Sequence, residues 1–223
     1  MFKIFHFDRS PFCIAIIQAA RAGGLEFELV PISNGDRSEL IRQTGGVTYQ
    51  VPALEDGGRI ICESSPDSQD IARYLDTTYM PGRLFPAALD GLQTIVNLYI
   101  ENTVEGVSFK VCEAAVIPAI PDIVERTLQI RHKERKFGSG CIAQWQRDRA
   151  QLITEANLLL RPFEQILANG GPYLFGASPI YTDFLLYGIL GNYTFQNTLP
   201  FPPDLPALRA WRDRIEGFRY QSE

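Results

Sequence analysis

The chain has 223 residues, 45% of them hydrophobic and 21% charged, with a formal net charge of −5. This composition suits one large folded domain or two small ones and argues against a disordered chain. A pI near 5.2 argues against nucleic acid or an anionic membrane as the main partner.

The opening MFKIFHFDRS lacks the long apolar run and small-residue cleavage site of a secretory signal. No stretch approaches the roughly 20 apolar residues that span a bilayer, so a cytosolic location is expected. Cys13, Cys62, Cys112 and Cys141 are scattered without CxxC spacing and are expected to remain thiols in a reducing compartment. His6 and His132 lie too far apart to form a metal motif, and no metal site is expected.

Phe2 to Phe7 alternates and is rich in aromatics, predicting a strand. Asp8 to Pro11 breaks it. Phe12 to Ala22 then predicts an apolar helix, stopped at Gly23-Gly24 and buried against a sheet. Leu25 to Ile32 predicts a second strand and Arg37 to Gln43 a short helix. Val51 to Leu54 is a third strand, Glu55 to Gly58 a hairpin turn and Arg59 to Cys62 a fourth strand, before a helix from about Asp67 to Tyr79. The order βαβ, helix, ββα predicts an α/β sandwich with a mixed sheet.

Within that unit, Arg9-Ser10-Pro11-Phe12-Cys13 draws attention first. Serine is a preferred N-cap and proline a preferred first helical residue. Taken alone, the pair is a plain cap. The same geometry can serve chemistry, because a helix N-terminus carries partial positive charge and unpaired N–H groups. A thiolate held there, with a serine hydroxyl donating to it, has its charged form favoured; a shift of about two pKa units corresponds to about 2.7 kcal/mol. Val51-Pro52, ahead of a strand, is either an ordinary edge proline or a cis bond exposing the Val51 backbone to an extended peptide. Asp67-Ser68, at the expected start of the next helix, is either a capping pair or a place where N–H groups take a carboxylate.

The order of these elements carries more than any one of them. SPFC, then VP about forty residues on, then DSxxIxxYLD after a DGG hairpin, resembles the N-terminal domain of the cytosolic glutathione transferase superfamily. That resemblance implies a thioredoxin-like α/β domain over residues 1–79, a linker over 80–90 and an all-α domain over 91–223. It implies that Ser10 is the catalytic serine, and that Phe12, Gln50, Val51 and Pro52 help bind glutathione, with Pro52 in cis. It also implies that Asp67 and Ser68 hold the γ-glutamyl group. The turn contains Glu63-Ser64 as well, as if about four residues were inserted, and Glu63 stands as an additional contact. Cys13 takes the place of the second cysteine of glutaredoxin-like CPYC motifs; with serine in the first place no two-thiol cycle is available, and Cys13 reads as a buried helix residue.

After the linker, Leu92 to Cys112 is helical, Pro118 and Pro121 interrupt or start the next helix, and a basic run at Arg131 to Lys136 reads as a solvated helix end. That run is alternatively an attractor for an anionic substrate. Ile142 to Ala168 predicts one long helix kinked or broken at Pro162, and Leu185 to Leu190 the central helix. Leu208 to Phe218 predicts a last helix with Trp211 on its buried face. Tyr173 to Phe184 resembles the segment that precedes the core helix in the same superfamily, where a capping box is formed. Ile180 stands in the place of its Ser or Thr, with Ser178 or Thr182 as substitutes and Asp183 as a structural residue.

The expected activity is conjugation of glutathione, as co-substrate, to a hydrophobic electrophile lying between the domains against helices that carry Phe109 and Cys112. Reductive, dehalogenating or ether-cleaving chemistry is the alternative among enzymes, and a non-catalytic ligand carrier the alternative outside them. A homodimer is implied by the resemblance alone.

Overall fold

The computed structural model describes residues 1–65 and 68–221. Its N-terminal part is a four-stranded sheet of order β2-β1-β3-β4, formed by β1 (Phe2–His6), β2 (Phe27–Pro31), β3 (Ala53–Asp56) and β4 (Arg59–Cys62). β1 runs parallel to β2, with Ile4 opposite Leu29, and antiparallel to β3, with Ile4 opposite Leu54. The parallel pair is joined by α1 (Pro11–Ala22), and the β3–β4 hairpin completes the mixed sheet. With α2 (Ser38–Gln43) and α3 (Asp70–Tyr79), this is the thioredoxin-like arrangement expected from the motifs.

The remainder is helical. α4 (Asp90–Tyr99) widens into a π-helical turn at Ile100–Val104 and continues as α5 (Glu105–Ala119). α6 (Ile123–Phe137), α7 (Cys141–Arg147), α8 (Arg149–Asn169), α9 (Tyr181–Tyr193) and α10 (Pro206–Gly217) follow. Two expectations shift here. The long helix predicted over Ile142 to Ala168 is divided into α7 and α8 at Asp148, whose side chain favours a boundary over a helix interior. Pro162, expected to kink or break it, lies inside α8. Pro118 likewise sits in the last turn of α5 and does not interrupt it.

α1 is buried on nearly every side because it is covered twice, by the sheet and by α9. Glycine makes the second cover possible: a Cβ at Gly188 would lie 2.1 Å from the Pro11 carbonyl oxygen, and one at Gly191 would meet Ile14 at 3.2 Å. Gln18 of α1 donates to the Ile215 carbonyl at 2.7 Å, tying α10 to the same helix. The start of α1 is therefore placed by the helical part as firmly as by the sheet.

α9 begins on an unusual cap. Asp183 accepts from the N–H of Ile180 and of Leu174, each at 3.0 Å, and from the Trp211 indole at 2.9 Å. Ile180 has no acceptor to return, so only the acidic half of a capping box exists. Thr182 is no substitute for it; its hydroxyl and N–H go to Gln93 and Asn97 of α4. Burial pushes the Asp183 carboxyl up to about 6 against these donors.

Candidate active site

Ser10 stands where the sheet, α1 and the helical part meet. Its N–H closes a turn onto the Phe7 carbonyl at 2.9 Å, and its hydroxyl accepts from the Cys13 N–H at 3.3 Å, capping α1. The same hydroxyl lies close enough to the Cys13 thiol to lower its pKa. Ser10 is buried, with its hydroxyl turned onto the first turn of its own helix.

Cys13 is fully buried on that turn. Burial pushes its thiol up to about 11, overriding the lowering by hydrogen bonds to Ser10 and Phe7. At neutral pH it is a protonated thiol, a poor nucleophile and a poor resolving partner. Phe12, next to it, is half-buried against the core.

On the neighbouring strand edge, the Val51–Pro52 bond is cis. Pro52 is buried, Val51 half-buried and Gln50 exposed. The β1–β3 and β3–β4 ladders begin at Ala53, so Val51 lies just outside the paired register.

The turn before α3 departs from expectation. Asp67 lies outside the described residues. The helix begins at Asp70, three residues later than predicted, because an acceptor from upstream takes its first donors. Glu63 accepts from the Asp70 N–H at 2.8 Å, from the Ile71 N–H at 3.3 Å and from the Ser68 hydroxyl at 2.6 Å. Ser68 Oγ in turn accepts from the N–H of Ser64 and Ser65. Burial outweighs these hydrogen bonds and raises the Glu63 carboxyl above its usual range. Glu63, Ser68 and the α3 N-terminus are thus one cluster, already holding a carboxylate of the chain itself.

A cavity of about 430 Å³ opens beside the β1–α1 turn. Phe7, Arg9, Ile32, Val116, Ile120 and Phe195 contribute to its wall. Phe109 and Cys112, on the helix expected to flank a second substrate, are buried, Phe109 in a cluster with Ile117 and Trp145. The cavity wall is carried by the following turns of α5.

Sequence reasoning overlooked the charges behind Ser10. Arg9 is buried and makes a two-pronged ion pair with Glu113 of α5, at 2.9 and 3.2 Å. Lys133 of α6 lies 3.6 Å from the same carboxylate, so one member of the basic run points inward. Burial pushes Glu113 up, but Lys133 and Arg9 outweigh it and hold the carboxyl below its usual range. The available signal was a single acid inside the apolar run Val111-Cys112-Glu113-Ala114-Ala115-Val116. Among the described residues no group of acids, cysteines and histidines is arranged to hold a metal ion. No described helix is long and apolar enough to cross a membrane.

Residues 4–83 match the glutathione S-transferase N-terminal domain family and residues 133–218 the glutathione S-transferase C-terminal domain family. The chain belongs to the glutathione S-transferase superfamily. A probable glutathione S-transferase of Oryza sativa subsp. japonica is 26% identical over 93% of this chain and 81% of its own length. Among solved structures, the glutathione S-transferase of Ceriporiopsis subvermispora in complex with glutathione superposes with a TM-score of 0.75 at 17% identity, over 96% of this chain and 93% of that one. Glutaredoxin 2 of Salmonella typhimurium in complex with glutathione gives 0.71 at 21% identity, over 96% and 93%. These likenesses are of fold. By family the chain is an enzyme of the glutathione transferase type.

Proposed function

We propose that this transferase activates glutathione with Ser10 and conjugates it to a small, largely apolar electrophile. The observation that carries the reading is a serine capping the N-terminus of α1, in a chain whose Val51–Pro52 bond is cis and leaves Val51 just outside the strand register. Glutathione lies extended along Gln50, Val51 and Pro52, with its cysteinyl sulfur over the first turn of α1. There the Ser10 hydroxyl turns its proton to the ligand's sulfur, and the helix N-terminus adds its partial positive charge. The thiolate then forms a bond to an electrophilic carbon as the leaving group departs with the bonding pair. Positioning and thiolate activation supply the rate.

The γ-glutamyl end sits at the Ser68 turn, with its ammonium toward Glu63. Asp67, also expected there, lies outside the described residues. The electrophile occupies the 430 Å³ cavity, a volume within the usual range for small-molecule sites. The raised pKa of Cys13 argues against a two-thiol redox cycle.

A Ser10→Ala variant tests this directly. The thiolate absorbance of bound glutathione, followed against pH, should move up by about two units, with turnover at neutral pH falling on the order of a hundredfold. An unchanged titration would remove Ser10 from the chemistry.

The same reading includes a homodimer. On α4, Leu92, Ile95 and Leu98 are 47%, 67% and 41% exposed and follow one another at helical spacing. A second copy of the chain would cover them. Ile95→Glu should then convert the protein to monomers in analytical ultracentrifugation; a wild-type monomer would refute the assignment.

A further inference from the structure

Arg9 immediately precedes Ser10 and is gripped from three helices of the other half of the molecule. Its Nε donates to Glu113 Oε1 at 2.9 Å and its Nη2 to Glu113 Oε2 at 3.2 Å, from α5. Nη2 also donates to Gln129 of α6, which in turn accepts from Asn34 at 3.4 Å. The Arg9 carbonyl accepts from Asn192 Nδ2 of α9 at 2.7 Å. The guanidinium lies 4.9 Å from the centre of the Phe7 ring. Arg9, Glu113, Gln129 and Asn192 are all buried.

The geometry of the peptide unit between Arg9 and Ser10 gives this grip its meaning. The Arg9 carbonyl and the Ser10 N–H belong to one rigid plane. Its oxygen is held by Asn192 at 2.7 Å and its N–H by the Phe7 carbonyl at 2.9 Å, so the plane cannot turn without breaking a bond at one end. The bidentate fork fixes Arg9 in orientation as well as in place, which a point charge such as lysine does not do. Together these contacts set the direction of the Ser10 Cα–Cβ bond. A buried ion pair is a poor source of stability compared with apolar packing, but a good source of fixed geometry.

We propose that Arg9, anchored by Glu113 and Asn192, is the positioning residue of Ser10. It fixes where the hydroxyl meets the glutathione sulfur, and so governs thiolate formation and turnover but not the affinity for protonated glutathione. The inference rests on the Ser10 reading above and adds a control point that the second domain exerts on it. Misplacement of a reacting group by about 1 Å is enough to cost on the order of a hundredfold in rate.

The test uses Arg9→Lys, which keeps the charge and loses the fork, and Asn192→Ser, which withdraws the donor from the Arg9 carbonyl. Each is measured alone and combined with Ser10→Ala, after circular dichroism and thermal melting have shown which variants fold. The readouts are the pH titration of bound glutathione, kcat and KM with a model aryl halide, and the glutathione Kd. Arg9→Lys should lower kcat about tenfold and raise the thiol pKa by about one unit. Asn192→Ser should lower kcat about threefold, and the Kd, measured at a pH low enough to keep the bound thiol protonated, should stay within about twofold in both. In the Ser10→Ala background neither change should have a further effect. Tenfold losses that persist without Ser10, or losses matched by a weakened Kd at that low pH, overturn the proposal and make Arg9 a structural or ligand-binding residue. Folded variants with wild-type kcat and titration overturn it outright. If Ser10→Ala itself changes nothing, the Ser10 reading falls; if Ser10→Ala acts and Arg9→Lys does not, only the positioning role falls.

Discussion

The starts of α1 and α9 lie in one packed pair of helices and are capped in opposite ways. α9 begins on Asp183, a buried carboxylate with donors from Leu174, Ile180 and Trp211 at 2.9 to 3.0 Å. α1 begins on Ser10, whose one backbone cap bond is 3.3 Å long and whose hydroxyl can be given to another partner. The first cap is saturated and joins three segments of the chain. The second is loose at the hydroxyl but firmly placed in its backbone, through Arg9, Asn192 and the Phe7 turn. A helix that only supports can have every acceptor filled; on the reading proposed above, α1 keeps one group exchangeable while its frame is held still.

Breaking the saturated cap should have the largest effect on stability. Asp183→Ala leaves three buried N–H donors without an acceptor and should destabilise the fold by about 4 kcal/mol, read by urea denaturation. The same group has a signature in pH. Its carboxyl titrates at about 6 when folded, against 3.8 for the free group. The folded state therefore holds the proton more tightly, and the contribution of Asp183 to stability falls as pH rises from about 4 through about 6. Asp183→Asn should lack that slope, so its stability relative to wild type should improve as pH rises across that window. A difference that stays constant with pH would show that Asp183 does not titrate as its burial implies.

Disturbing the contact between the two helices should come next. Gly188→Ala places a methyl 2.1 Å from the Pro11 carbonyl and 2.9 Å from the Ala15 N–H, both backbone atoms that cannot turn aside. A loss of about 2–3 kcal/mol is expected, from overpacking that exceeds the gain in helix propensity. Because the strain falls on the first turn of α1, glutathione turnover should drop in the fraction that still folds. A melting temperature equal to wild type would contradict the close approach. Ser10→Ala should have the smallest effect on stability, about 1 kcal/mol for the lost cap. Its large effect on the glutathione titration would then separate the two capping roles within one molecule.

The regular part of this architecture was legible in the chain. The strands of the sheet, α1 with its Ser10-Pro11 start and the DGG hairpin follow from local periodicity and turn chemistry. Trp211 was expected on a buried face and is buried, bonded to Asp183. The boundaries that moved did so for non-local reasons. α3 starts at Asp70 because Glu63 reaches its first N–H groups, and α9 starts at Tyr181 on an acid whose other partners are Leu174 and Trp211. Which residues of α5 line a substrate wall was not legible in the chain, and packing around Ile117 and Trp145 turned Phe109 inward.

By itself the sequence determined the elements and the cap at Ser10, because each depends on neighbours within a few positions, and the family, because the order of its motifs along the chain is itself sequence. Only the tertiary structure decided that Arg9 meets Glu113, 104 residues away. It alone brought Asn192 to the Arg9 carbonyl, 183 residues away, and filled the α3 N-terminus with the chain's own Glu63. The reason is the same in each case. A buried charge or carbonyl must find a partner, and which partner it finds depends on what the packed helices bring within about 3 Å, a distance that no local pattern encodes.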